Sequence, residues 1–198
     1  MLRVNTTVIA IVTTDQTRVK TATARNVSVH SPDGDEPALD RSAMAWAAAK
    51  QARTTYFVHD ADPLADVATA WADFFDGTAP MGTIEVVREQ VLARWRAESV
   101  TLPDYYLIDR PEDLPTTLRH WYLGILAGAA VQRVVAIEPN RSIADHLCTL
   151  SSGRWWPTLD TILAGIEHVV PDQLDTPAEA TPETRLFTPN RQVTRLDD

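Results

Sequence analysis

Three aspartates lie where apolar segments of the chain end or begin, and their type and placement could support chemistry. Asp15 and Asp60 each close an apolar run, and Asp145 lies just inside a helical stretch that follows a third run. A carboxylate at the end of a buried strand is held more rigidly than one on a loop. Oxygen ligands of this kind suit Mg²⁺ and Mn²⁺. We therefore predict these three as catalytic residues and metal ligands, with Asp62 as an additional metal ligand.

Composition limits the classes of protein to be considered. The chain has 198 residues, 44% of them hydrophobic, which is enough for one domain with a core. Its formal net charge is −9, and an acidic surface does not attract phosphate backbones over long range. A single cysteine, Cys148, excludes an intrachain disulfide and fits a reducing compartment. We find no signal peptide and no apolar stretch near the roughly 20 residues that span a bilayer, so we expect a cytoplasmic location and no membrane partner.

Hydrophobic periodicity predicts the elements that must position the aspartates. Runs at 8–12, 19–24 and 27–29 are typical of three closely spaced strands, which indicates an antiparallel opening. Further strands are predicted at 54–58, 104–108 and 133–137. Helices are predicted at 41–52, with Asp40 as its N-cap, and at 64–75, 83–99, 115–130, 142–150 and 158–168. The expected fold is α/β, with a mixed sheet, an antiparallel three-strand opening and helices on both faces.

The domain is predicted to cover residues 1–170. From 171 to 198 the apolar pattern fades into proline, threonine and acidic residues, and we predict a disordered tail.

This order of elements resembles the ribonuclease H-like superfamily. Thr14-Asp15 matches the family's Thr-Asp at the end of the first strand, Asp60 takes the place of the acidic residue after the fourth strand, and Ala144-Asp145-His146-Leu147 matches its Ala-Asp-x-Leu segment. The resemblance implies a ribonuclease H-like fold over about residues 4 to 150. The family's first helix presents a glutamate to the metals, whereas this chain has only small or non-acidic residues there, with Ala43 at the centre.

The resemblance implies metal-dependent cleavage of RNA in RNA–DNA hybrids, with a degenerate acidic site. Two Mg²⁺ or Mn²⁺ ions would activate water and stabilise the leaving oxygen. The alternative is a catalytically inactive ribonuclease H-like interaction protein with a protein partner, and the missing glutamate and the net charge of −9 favour it. A third possibility is an unrelated α/β domain.

Two other features could carry function. The loop Ser151-Ser152-Gly153-Arg154-Trp155-Trp156 could bind phosphate and stack a base, but we favour a role in covering an edge of the core or contacting a partner. His59 could relay a proton beside Asp60, although a histidine without catalytic function is the more common case. The chain contains no glycine-rich phosphate loop, no dinucleotide fingerprint, no Gly-x-Ser-x-Gly elbow and no paired-cysteine zinc signature.

Overall fold

The computed structural model describes residues 4–32, 36–137 and 141–171, and it shows an α/β protein with a five-stranded sheet. The strands are β1 (Thr7–Val12), β2 (Val27–His30), β3 (Tyr56–His59), β4 (Tyr105–Asp109) and β5 (Val134–Ile137). The helices are α1 (Gln16–Lys20), α2 (Ala38–Ala49), α3 (Ala65–Phe75), α4 (Met81–Arg96), α5 (Thr116–His120), α6 (Ala127–Ala129), α7 (Ile143–Leu147) and α8 (Leu159–Leu163). A π-helical segment, Trp121–Leu126, joins α5 to α6, and short 3-10 turns lie at Pro111–Asp113, Val131–Arg133 and Ile166–His168.

The sheet is parallel throughout and its strand order is β2-β3-β1-β4-β5. The predicted antiparallel opening is therefore wrong. The error arises at residues 19–24, which we predicted as a strand and which contain the end of helix α1 and a turn. Val19 and Ala22 are both fully buried, and their spacing of three is that of one helix face. A helix between β1 and β2 permits the parallel arrangement, because a parallel crossover needs an intervening element.

Helices cover both faces of the sheet, as predicted. On one face, α1 and α7 pack on Ile9 and Ile11 of β1. On the other face, a larger core contains Ala10 of β1 together with α3, α4, the π segment and α8. Because both faces are covered, β1 is apolar from its second residue to its end, and its residues 8–11 are almost completely buried.

Two predicted helix features need correction. Asp40 was predicted as the N-cap of α2, but the helix begins at Ala38 after Pro37, and Asp40 in its first turn pairs with Arg94 at 2.6 Å. The predicted helix at 115–130 is interrupted by the π segment, in which the adjacent Trp121 and Tyr122 are both buried. Widening of the helix there turns two neighbouring aromatic side chains towards the core, which an α-helix does less easily.

Within the described residues, no helix combines the length and the apolar character needed to cross a membrane. The tail predicted to be disordered begins at Pro171 and otherwise lies outside the described residues.

Candidate functional site

The carboxyl-terminal edge of the sheet is the natural place for a site in this fold. The connection from β1 runs towards β2 at one edge of the sheet, whereas the connection from β4 runs towards β5 at the other. In parallel α/β sheets, a crevice forms outside the carboxyl ends of two strands whose connections diverge in this way, and ligands bind there. At this edge, Asp15 follows β1, Asp60 follows β3, and Asp109 and Arg110 lie at the end of β4 and directly after it.

Asp15 caps helix α1. Its Oδ1 accepts hydrogen bonds from the backbone N–H of Thr17 at 3.0 Å and from the Thr17 hydroxyl at 2.6 Å. These bonds hold the pKa of the Asp15 carboxyl below its usual value, with smaller contributions from the nearby Arg110 and Arg18. Phosphate-binding loops at this position leave backbone N–H groups open to an anion. Here the N–H of Thr17 already donates to the Asp15 carboxylate, so it is not open to a bound anion.

Asp109, the last residue of β4, is the most buried carboxylate at this edge, and its side chain has no exposed surface. Arg18 on α1 binds it with two bonds, from Nη2 to Oδ1 at 2.8 Å and from Nε to Oδ2 at 3.1 Å. The Thr13 hydroxyl donates a third bond to Oδ2 at 3.1 Å. The fork geometry of a guanidinium suits a carboxylate, and it compensates the cost of burying this charge.

Arg110 joins the same cluster from a strained backbone position. Its φ of 45° lies in the left-handed region, where a residue with a side chain is uncommon. Pro111 follows it and disfavours the right-handed helical conformation. Nη2 of Arg110 lies 3.6 Å from Asp15 and Nε lies 3.4 Å from Asp113. The cluster therefore sets two guanidinium groups against three carboxylates, so most of its negative charge is compensated by the protein itself.

Asp60 follows β3 and has a different partner. The Ser31 hydroxyl, just after β2, donates to its Oδ2 at 2.5 Å, while Oδ1 is buried without a partner among the described residues. His59 beside it is 4% exposed. Burial, followed by repulsion from His30, lowers the pKa of His59 to about 4. A ring that stays neutral at physiological pH is a poor candidate for proton relay as a cation, which was the less common of the two roles considered for His59.

Asp62 lies inside the protein, 6% exposed. Its Oδ1 accepts bonds from the backbone N–H of Leu64 at 2.8 Å and from the Tyr106 hydroxyl at 2.7 Å, and its Oδ2 accepts one from Tyr122 at 2.8 Å. Burial raises the pKa of the carboxyl, and the pKa values of both tyrosines are raised well above their ordinary value. Both oxygens face protein donors, so the predicted role as an additional metal ligand does not fit.

Asp145 lies in the first turn of α7 and forms a reciprocal capping box with Ser142. The Ser142 hydroxyl donates to Asp145 Oδ2 at 2.7 Å, and the Asp145 backbone N–H donates to the Ser142 hydroxyl at 3.2 Å. These bonds lower the pKa of the Asp145 carboxyl. The arrangement is a standard way of satisfying free N–H groups at a helix start.

The structure does not bring Asp15, Asp60 and Asp145 into one cluster. Across the described residues, no group of three or more His, Cys, Asp or Glu side chains is arranged to hold a metal ion. Divalent ions such as Mg²⁺ need several oxygens on one centre about 2 Å away. Each aspartate instead bonds to its own neighbouring hydroxyl or backbone group. The donor set therefore does not fit the expected Mg²⁺ or Mn²⁺.

The lack of a glutamate at Ala43 does not explain the absence of a metal site in this arrangement. The buried stripe of α2 contains Ser42, Ala45, Trp46 and Ala49, and Ala43 lies outside it. No glutamate at position 43 would complete a site whose other members do not meet.

Sequence reasoning missed Arg18, Asp109 and Arg110. A signal for Asp109 was present, since it closes the apolar run Tyr105–Asp109 just as Asp15 and Asp60 follow theirs. We predicted that this strand ended one residue earlier. The pairing with Arg18 has a sequence separation of 91, and no local pattern indicates such a contact.

The loop 151–156 covers the core, as we favoured. Trp156 is buried and donates from Nε1 to the carbonyl of Pro103 at 2.8 Å. Arg133 lies between the rings of Tyr105 and Trp155, with its guanidinium carbon 4.8 Å and 4.7 Å from the two centroids. Both tryptophans are thus fixed by the protein itself.

Comparison with known proteins gives no assignment. No protein-family model, no curated protein and no solved structure matches this chain significantly.

Proposed function

We propose that this protein is a non-catalytic α/β interaction protein, which binds a partner and does not transform a substrate. The observation that carries the proposal is the engagement of the predicted catalytic aspartates in structural bonds. Asp15 caps α1, Asp60 binds Ser31, and Asp145 completes a capping box. Catalytic metal sites keep several carboxylates converging on one point, where they repel one another until the ion arrives.

Cleavage of RNA in RNA–DNA hybrids is the competing proposal, and the ribonuclease H-like relationship goes with it. The three short sequence matches still support that relationship. The predicted antiparallel opening was one argument for that relationship, and it no longer applies because the sheet is parallel. Because the carboxylates are scattered, no group of residues is assigned to hold the metal ions that hydrolysis would need. The acidic charge of −9 also disfavours a nucleic-acid partner, so a protein is the partner class we propose.

The two proposals predict opposite effects of removing the Asp15 carboxylate on the melting temperature of the metal-free protein. If Asp15 is structural, Asp15→Ala weakens the cap of α1 and lowers the melting temperature. If Asp15 belongs to a group of carboxylates held together for metal, the same substitution relieves repulsion and raises the melting temperature. Asp160→Ala, on an exposed position of α8, is the matched control.

Activity is tested directly with a labelled RNA–DNA hybrid in Mg²⁺ and in Mn²⁺, beside an Asp60→Asn variant. We expect no cleavage by either protein and no rise in melting temperature with either ion, since an ion that binds the folded state stabilises it. Cleavage by the wild type that is lost in Asp60→Asn would overturn the proposal. Equal cleavage by both proteins would indicate a contaminating nuclease.

A further inference from the structure

A groove of about 430 Å³ lies between the first turns of helices α2 and α3 and the second half of α4. We call it the α2–α4 groove. Its lining includes the apolar side chains of Leu39 and Ala93 and the polar side chains of Asp40, Asp66, Gln90 and Arg94. The volume lies within the range of roughly 300 to 1,000 Å³ that binding pockets occupy, so the groove has room for a long side chain of another molecule.

Asp66 brings an uncompensated negative charge to the α2–α4 groove. The side chain is half-buried, and its carboxylate has neither a hydrogen bond nor an ion pair in the part of the chain that the structure describes. Its position in the first turn of α3 suits a negative charge because of the helix dipole. The charge acts on the interior as well, since repulsion from Asp66 adds to burial in raising the pKa of Asp62. A cation bound in the groove would compensate this charge.

Arg94 does not supply that cation, because it is already paired across the groove. Its Nη2 lies 2.6 Å from Oδ1 of Asp40. The lining thus sets two carboxylates, Asp40 and Asp66, against one guanidinium, and one negative charge remains. The net charge of −9 of the whole chain has the same sign, so the groove favours a positively charged ligand.

Exposed apolar side chains continue the two walls of the α2–α4 groove. Met44 follows Asp40 by one turn of α2, and Val86 precedes Gln90 by one turn of α4, so each shares a helix face with a lining residue. Their exposed fractions are 43% and 58%. Apolar side chains along a groove between helices are typical of surfaces on which a partner's amphipathic helix docks.

From these observations we infer that the α2–α4 groove binds a basic amphipathic helix of a protein partner, with a lysine or arginine side chain at Asp66. The aliphatic stem of such a side chain covers the apolar lining while its charged end reaches the carboxylate. Apolar side chains of the same helix contact Met44 and Val86. The inference rests on the proposed function, because it names the surface to which the protein partner binds.

A fluorescein-labelled peptide with the sequence Leu-Ala-Ala-Lys repeated three times is a suitable probe. Its fluorescence anisotropy measures binding to the full chain. We expect saturable binding that weakens as salt is added. The same peptide with glutamine in place of lysine should bind roughly tenfold more weakly, because it keeps the leucines and loses the charges.

Cadaverine tests whether a small amine is the ligand instead, because it carries ammonium groups without leucines. We expect it to displace the labelled peptide only at concentrations roughly tenfold or more above those of the unlabelled peptide. Displacement at equal concentrations would assign the groove to a small amine and overturn the inference.

Asp66→Asn tests the proposed contact. We expect this variant to weaken peptide binding roughly three- to fivefold, the effect of losing one partly exposed ion pair. Asp73→Asn makes the same change of charge on the same helix at a residue outside the groove lining, and it should leave the affinity nearly unchanged. Equal effects of the two substitutions would mean that the peptide responds only to the net charge, which would overturn the inference.

Arg94→Gln should have the opposite effect. The substitution releases the Asp40 carboxylate and removes a repelling cation, so we expect peptide binding to tighten roughly two- to fivefold. Arg96→Gln, on the same helix but outside the groove lining, is the matched control. Weaker binding in Arg94→Gln, or an equal effect in both variants, would contradict the inference.

The failure of this inference can be distinguished from the failure of the proposed function. Absence of saturable peptide binding would overturn the assignment of the α2–α4 groove and leave the proposed function in place. Cleavage of the RNA–DNA hybrid that is lost in Asp60→Asn would overturn the proposed function, and the inference with it, whatever the peptide does.

Discussion

Arg18 and Asp109 form a bidentate ion pair that joins α1 to the end of β4, with Nη2 2.8 Å from Oδ1 and Nε 3.1 Å from Oδ2. The carboxylate is fully buried, whereas the arginine side chain is 31% exposed. The hydrogen bond with Asp109 is also the main reason why the pKa of Arg18 is raised. The pair fixes the connection from β1 to α1 at the place where α/β proteins commonly bind ligands, and it leaves both charges satisfied.

Removing the arginine leaves a buried carboxylate without compensation. We expect Arg18→Met to lower the free energy of unfolding by about 2–3 kcal/mol, somewhat less than for fully buried pairs because solvent screens the arginine. Denaturant unfolding measures the change. Adding Asp109→Asn to Arg18→Met should restore part of the loss.

Arg94→Met is the control for this experiment. Its pair with Asp40 is exposed on both sides, at 46% and 43%, and such pairs contribute roughly 0–1 kcal/mol. Equal losses in Arg18→Met and Arg94→Met would show that burial of Asp109 has no energetic effect.

Tyr122→Phe should destabilise the protein through Asp62. The substitution removes the donor to Asp62 Oδ2 at 2.8 Å, and a buried acceptor left unpaired costs about 1–3 kcal/mol. Thermal or denaturant unfolding measures the loss, with Tyr56→Phe at the half-buried start of β3 as the control. A loss no larger than that of the control would mean that Asp62 is satisfied by its other two donors alone.

The strands and long helices could be predicted because their signals are local. The buried run of β1 is continuously apolar, and α3 shows a clear helical stripe, so each was found near its observed bounds. The direction of pairing was wrong because it depended on a single short segment, 19–24. Thr and Ala there match a strand as well as a short helix, and the decisive contact, burial of Val19 beneath the sheet, is not visible in sequence.

The candidate site was harder to predict than the fold. That aspartates follow β1 and β3 was correct, but their convergence was inferred from an assumed topology. Whether a carboxylate binds metal or caps a helix depends on the partner that reaches it. For Asp15 that partner is two residues away, at Thr17, and could have been suspected from N-cap preferences. For Asp62 the partners Tyr106 and Tyr122 lie 44 and 60 residues along the chain.

Arg133→Lys should loosen the loop 151–156. The guanidinium of Arg133 donates to the carbonyls of Gly153 at 2.9 Å and Arg154 at 3.2 Å while it stacks between two rings. A lysine keeps the charge but cannot form this planar, multiply bonded arrangement. We expect faster amide hydrogen exchange across 151–156 and a lower melting temperature.

Arg154→Lys, at an exposed position of the same loop, is the matched control for Arg133→Lys. Unchanged exchange in the loop of Arg133→Lys would show that the hydrogen bonds of Tyr105 to Ser151 and of Trp156 to Pro103 hold the loop without the guanidinium.

The stability of the protein should fall between pH 6.5 and pH 4 because of His59. Burial, with repulsion from His30, lowers the pKa of His59 from 6.5 to about 4. The unfolded chain therefore binds a proton in this range that the folded protein does not, so the free energy of unfolding decreases as the pH falls. A shift of this size corresponds to a loss of up to about 3 kcal/mol. His59→Gln should remove much of the slope in denaturant midpoints measured across the window. His168→Gln, whose side chain is 82% exposed, should leave it in place, and identical slopes in wild type and His59→Gln would contradict a neutral buried ring.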